Sequence, residues 1–177
     1  MNTANKITLI RIALVPLFII LWKIPSELCH WLAAATFVVA AITDGVDGYV
    51  ARHYNQVTNF GKFIDPLADK LLVTAALICF VASGDVPDWV TVVILAREFM
   101  VTSLRTVAVA QNVVIAASIW GKIKTVVQII LVVAIMVLPE HPAFELLKQI
   151  LIYAALVITV LSGADYMWKN RACIKAE

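Results

Sequence analysis

Six apolar stretches of roughly bilayer-crossing length dominate this chain, falling at roughly 7–22, 31–50, 67–83, 89–110, 120–138 and 146–167. Nothing else in the sequence restricts its fold as severely. In hydrocarbon every backbone N–H and C=O must be satisfied within the segment, so runs of this kind become α-helices. The breaks between them carry turn chemistry: Pro25 and Ser26, Gly84 and Pro87, Pro139 and Pro142. The stretch 53–62 is a polar break holding Asn59 and Gly61, and 110–118 is a weakly polar one. Hydrophobic residues make up 62% of the 177 and charged residues only 15%. Soluble domains hold about 45–50% and about 25%. The expectation is an all-α integral membrane protein, one domain over 1–177, with six transmembrane helices in a single bundle.

The net charge of +2 makes no case for a nucleic-acid partner. The placement of the cations says more. With the N-terminus inside, Lys6, Arg11, Arg52, Lys62, Lys70, Arg97, Arg105, Lys122, Lys124, Lys169, Arg171 and Lys175 fall at inner ends, against Lys23 and Lys148 at outer ends. That asymmetry expects a multi-pass protein of the inner (plasma) membrane with both termini cytoplasmic. Arg11 interrupts the first apolar run and no small-residue cleavage site follows it, so this run reads as a retained segment rather than a signal peptide. Cys29, Cys79 and Cys173 are widely spaced and form no metal-ligand pattern, which makes them apolar fillers.

Against this background Asp44, Asp47, Asp65 and Asp69 stand out. Asp44 and Asp47 are three apart near the inner end of the second helix. Asp65 and Asp69 are four apart near the start of the third. Both spacings put a pair on one helix face. A charge deep in a bilayer costs about 2.5–3.5 kcal/mol on insertion scales, so four together are poorly explained as caps or interfacial charges. Clustered carboxylates need a positive centre, and oxygen-only ligands suit a hard divalent cation, Mg²⁺ or Mn²⁺. A cation or proton transporter also collects intramembrane acids. However, Gly45, Gly48 and Gly61 between the aspartates leave room for a bulky ligand, which a proton path needs less. Pro66, directly after Asp65, disfavours a helical residue before it and suggests a kink.

The pattern Asp44-x-x-Asp47-Gly48-x-x-Ala51-Arg52, eight residues, Gly61, three residues, Asp65, three residues, Asp69 resembles the signature of the CDP-alcohol phosphotransferases at all eight fixed positions. The resemblance implies a metal-dependent transferase that moves a phosphatidyl-type group from a CDP-linked donor to an alcohol and releases CMP. It implies that Asp44, Asp47, Asp65 and Asp69 hold two divalent cations on the donor diphosphate, with Asp65 and Asp69 catalytic and Asp69 the general base. It places Asp44, Asp47, Gly48, Arg52 and Thr58 where the family binds the CDP portion, and it implies a homodimer.

A second constellation bears on the acceptor. Arg97, Glu98 and Arg105 lie in the fourth apolar run, and Lys122 and Lys124 begin the fifth. Arg97 and Arg105 are eight residues apart, a little over two turns. This is more positive charge than topology needs. Glu98 neutralises one cation, and the remainder point to an anion, hence a phosphorylated acceptor. The blocks "NKITLIRIALVP", "REFMVTSLR" and "GKIKT" resemble one bacterial group in the family, the phosphatidylglycerophosphate synthases. That group implies CDP-diacylglycerol as donor and glycerol 3-phosphate as acceptor, a place in phosphatidylglycerol biosynthesis, and a site at the cytoplasmic face. Other acceptors within the family, such as inositol phosphate, serine or phosphatidylglycerol, remain alternatives. Asn5, Thr8 and Arg11 belong to the first block without an assigned role.

Overall fold

The computed structural model describes residues 3–53, 59–110, 113, 115, 118–139 and 141–171, and side chains within these except at 3–6, 44–53, 59–63, 65, 66, 69 and 110. These residues form six helices: α1 (Thr3–Lys23), α2 (Glu27–His53), α3 (Asn59–Ser83), α4 (Asp88–Ala110), α5 (Ile119–Val137) and α6 (Pro142–Lys169). There is no strand among the described residues.

The helix ends follow local chemistry. Helix α1 stops at Lys23 because Ile24 precedes Pro25, and a residue before proline avoids the helical region. Gly84 ends α3 with a φ of +87°, left-handed backbone that a side chain would strain. The Ser118 hydroxyl accepts from the Gly121 N–H at 3.1 Å and caps α5. His141 caps α6 through Nδ1, which accepts from Ala143 N at 3.3 Å, and Pro142 occupies the first turn where its missing N–H costs nothing.

Most helices run past their apolar stretches. The largest difference is at α3, which begins at Asn59 rather than near 67, so Asn59 and Gly61 lie in the helix and not in a polar break. Asp65 is helical despite Pro66, and no interruption appears there. Hydropathy marks the length of helix that hydrocarbon can hold; a polar helical turn beyond it carries no such mark. Pro16 is likewise accommodated inside α1.

The chain divides into two compact units. The first comprises Met1–Ser83 with Val132–Leu138. In it α1 packs on both α2 and α3, and α2 touches α3. Alanines 33, 34, 40, 68, 75 and 76 are buried there and permit close helix approach. Phe18 sits between Phe37 and Trp22 at centroid distances of 6.1 and 6.5 Å, and Trp22 meets the edge of Phe80 at 5.2 Å. Cys79 is buried in the same core and is a free thiol. The second unit comprises Gly84–Leu131 and Pro139–Glu177, where α4 packs on α6. One face of α6 is buried through Ile152, Ala155, Thr159, Ser162, Gly163 and Tyr166.

Helices α5 and α6 are long and apolar enough to cross a membrane, while Glu27–Thr43 and Lys70–Ser83 are shorter apolar helical stretches among the described residues. Charged residues within α2, α3 and α4 break up their apolar length. Large apolar side chains face outward throughout, among them Ile10, Ile20, Val92, Phe99, Val126 and Trp168. Large apolar side chains exposed in such number are what a chain covered by another apolar phase presents.

Candidate active site

Helices α2 and α3 determine where the four aspartates stand. Asp47 is six residues before the end of α2 and Asp65 six residues after the start of α3. Asp44 and Asp69 are nine and ten residues from those same ends. At 1.5 Å per residue the inner pair lies about 9 Å and the outer pair about 14 Å from the connected helix ends. The two helices are consecutive and in contact, and each carries two aspartates within ten positions of those ends. The side chains of Asp44, Asp47, Arg52, Asp65 and Asp69 lie outside the described residues, as does the environment of Gly48; Thr58 lies outside them altogether. The donor set is chemically suited to Mg²⁺ or Mn²⁺: four carboxylates, hard oxygen ligands, on helices whose spacing pairs them.

Within this same unit α1 buries two polar side chains, Thr8 and Arg11, each 1% exposed. An arginine so far from water is held by interactions inside the protein. Both belong to the sequence block for which the sequence suggested no role.

The second unit holds Arg97, Arg105, Lys122 and Lys124. Arg97 and Lys124 are not open cations. Arg97 Nη1 donates to Glu98 Oε1 at 2.9 Å, and Lys124 Nζ reaches the same oxygen at 2.7 Å. Their side chains are 11% and 7% exposed, and that of Glu98 is 14% exposed. Glu98 therefore serves two cations, where the sequence reading had it neutralise one. Arg97 Nη2 donates to the Ser162 hydroxyl on α6. Arg97 thus ties α4 to α6, and Glu98 ties α4 to α5. Such a pairing is favoured because a single buried charge would be costly.

Arg105 and Lys122 differ from that pair in being exposed. Arg105 Nε donates to the Tyr166 hydroxyl at 2.9 Å, and its guanidinium carbon lies 5.4 Å from the centroid of the same ring. Tyr166 is buried against Val101 and Leu104, so its hydroxyl is a fixed post. With Nε occupied, the two Nη groups of Arg105 form the edge that a phosphate can take bidentately.

Sequence reading missed Ser162, Gly163 and Tyr166. A Cβ at position 163 would stand 3.0 Å from Arg97 Cγ, so α6 accepts the arginine stem because that residue is glycine. The available signal was the run of small and polar residues on one face of an otherwise apolar α6, Thr159, Ser162, Gly163 and Tyr166.

Comparison with known proteins identifies what the chain is similar to. The family model for CDP-alcohol phosphatidyltransferases matches residues 1–161. A Bacillus subtilis protein named CDP-diacylglycerol–glycerol-3-phosphate 3-phosphatidyltransferase is 45% identical over 190 aligned positions, covering 98% of this chain and 97% of its own. A Rickettsia bellii protein of the same name is 39% identical, covering 98% and 96%. A Mycobacterium tuberculosis protein named as a probable phosphatidylglycerophosphate synthase is 42% identical, covering 94% and 80%.

Proposed function

The chain belongs to the CDP-alcohol phosphatidyltransferase family, whose members are membrane-embedded and generally depend on divalent cations, and from that premise we propose that it makes phosphatidylglycerophosphate. The reaction joins the phosphatidyl group of CDP-diacylglycerol to glycerol 3-phosphate and releases CMP. The observation that carries this reading is the likeness, across nearly the whole chain, to relatives whose names state both substrates.

Asp44, Asp47, Asp65 and Asp69 would hold Mg²⁺ or Mn²⁺, two ions by family resemblance, which supply charge neutralisation on the donor diphosphate. Arg52, with Gly48 and Thr58, binds the CDP portion. Asp69 accepts the proton of the acceptor hydroxyl as its oxygen bonds to the phosphatidyl phosphorus and the bond to the CMP oxygen breaks. A carboxylate so placed is a weak base, and orientation of the two substrates carries much of the rate. Arg105 and Lys122 take the acceptor phosphate, and Arg97 and Lys124, on the same two helices, add positive charge.

The six helices cross the plasma membrane with both termini and the site on the cytoplasmic side. Support comes from the apolar length of α5 and α6, the outward-facing apolar side chains, and the distribution of basic residues. Family resemblance favours a homodimer. The test is CMP release from CDP-diacylglycerol by purified protein in detergent, with glycerol 3-phosphate, inositol phosphate, serine and phosphatidylglycerol offered in turn. Release with glycerol 3-phosphate alone is expected. Release with another acceptor only reassigns the product, and no release with any acceptor removes the enzyme reading.

A further inference from the structure

We propose that Glu98 is a positioning residue for the acceptor site, acting with Gly163 to fix Arg97 and Lys124 on the two helices that carry the exposed cations. This rests on the reading of Arg105 and Lys122 as phosphate ligands. One carboxylate oxygen, Oε1, is bound by Arg97 Nη1 at 2.9 Å and by Lys124 Nζ at 2.7 Å. Two cations sharing an oxygen stand within about 6 Å of each other, a distance at which like charges repel unless a counter-charge lies between them. Glu98 is that counter-charge. Its one negative charge lies between the two positive ones and holds both cations still.

The hold on Arg97 comes from three sides. Glu98 takes Nη1, Ser162 takes Nη2, and the bare backbone at Gly163 receives the stem. Gly121, at the start of α5, comes next: a Cβ there would lie 4.0 Å from Nη2. Nε is buried and has no hydrogen-bond partner. With both Nη groups engaged and a side chain only 11% exposed, Arg97 acts through position and charge. Arg105, two turns along the same helix, and Lys122, two residues from Lys124 on α5, inherit their placement from this knot. The Glu98–Lys124 link sets α4 against α5, and the Arg97–Ser162 link sets α4 against α6.

The test uses the full-length protein in detergent, with Glu98→Gln, Gly163→Ala and Arg105→Ala assayed side by side and each substrate varied in turn. Glu98→Gln keeps the shape and removes the charge. It should raise the KM for glycerol 3-phosphate about tenfold, the loss of roughly one charge-assisted contact, with the KM for CDP-diacylglycerol within about twofold. Gly163→Ala removes no polar group and presses only on Arg97; it should move the same constant in the same direction by about threefold or more. Should Glu98→Gln fail to accumulate as folded protein, Gly163→Ala decides. If Arg105→Ala raises the acceptor KM while the other two variants leave it unchanged, Glu98 does not position the site and the acceptor reading stands. A fall in kcat with both KM values unchanged would make Glu98 purely structural and overturn the proposal. If Arg105→Ala itself leaves the acceptor KM unchanged, the acceptor site lies elsewhere and the proposal goes with it.

Discussion

Replacing Arg105 by alanine removes an exposed guanidinium whose Nε is already held by Tyr166 and whose two Nη groups, on the proposed reading, bind the acceptor phosphate. A charge-assisted hydrogen bond contributes about 1.5–3 kcal/mol, which corresponds to roughly a 10- to 150-fold rise in the KM for glycerol 3-phosphate. Arg105→Lys should recover only part of this, because an ammonium on a flexible stem reproduces neither the fork nor the bond to Tyr166. Tyr166→Phe isolates the second component. It deletes the hydroxyl that accepts from Nε at 2.9 Å and keeps the ring, which remains packed on Val101 and Leu104 and 5.4 Å from the guanidinium. The lost bond has an exposed donor that water can rehydrate, so about 0.5–1.5 kcal/mol applies, or roughly a 2- to 12-fold effect on the same KM. The ordering Arg105→Ala above Arg105→Lys, and both above Tyr166→Phe, is the signature. The assay is steady-state CMP release in detergent with each substrate varied against a saturating level of the other. A loss falling equally on CDP-diacylglycerol, or on it alone, would place Arg105 in the donor site and refute the argument.

Asp44→Asn, Asp47→Asn and Asp65→Asn should each abolish turnover while folded protein accumulates in the membrane; EDTA should silence the wild type, and Mg²⁺ or Mn²⁺ should restore it, so full activity in excess chelator would remove the metal from the mechanism. A single cysteine at position 55 in a cysteine-free background should resist a membrane-impermeant thiol reagent in intact cells, and one at position 140 should react; the reverse pattern would invert the topology. Phe18→Ala empties a site that is fully buried between Phe37 and Trp22 and should cost about 3–5 kcal/mol, read as a lower melting midpoint by tryptophan fluorescence, with no selective change in either KM.

Much of the helical layout was legible because hydrocarbon-length apolar runs and the proline and glycine breaks between them are strong local signals. The stop at Lys23 and the turn at Gly84 follow from residues adjacent in sequence. The start of α3 was not legible, since Asn59, Gly61 and Lys62 look like a break and no apolar run marks the helical turns they form. The four aspartates were conspicuous because charge in an apolar chain has few explanations. The bracket around Arg97 was hidden for the opposite reason. A serine, a glycine and a tyrosine in an apolar helix are unremarkable one at a time, and their meaning arises only when α6 lies against α4. The double duty of Glu98 was equally out of reach, because it depends on Lys124, twenty-six positions along the chain, reaching the oxygen that Arg97 already holds.

The bare backbone at Gly163 makes positions 97 and 163 epistatic. The atom that a Cβ would meet is Arg97 Cγ, not the guanidinium, so lysine at 97 would inherit the same contact. A side chain at 163 can therefore coexist with a long cation at 97 only if the Cγ gives way by a few tenths of an ångström, and a shift of that stem would disturb the hold of Ser162 and Glu98 on the guanidinium. Substitutions at the two sites should combine non-additively, as expected for residues in direct contact. In a library randomised at both positions, glycine at 163 should survive selection for activity wherever arginine survives at 97, and other small residues at 163 should appear chiefly where position 97 has lost its Cγ.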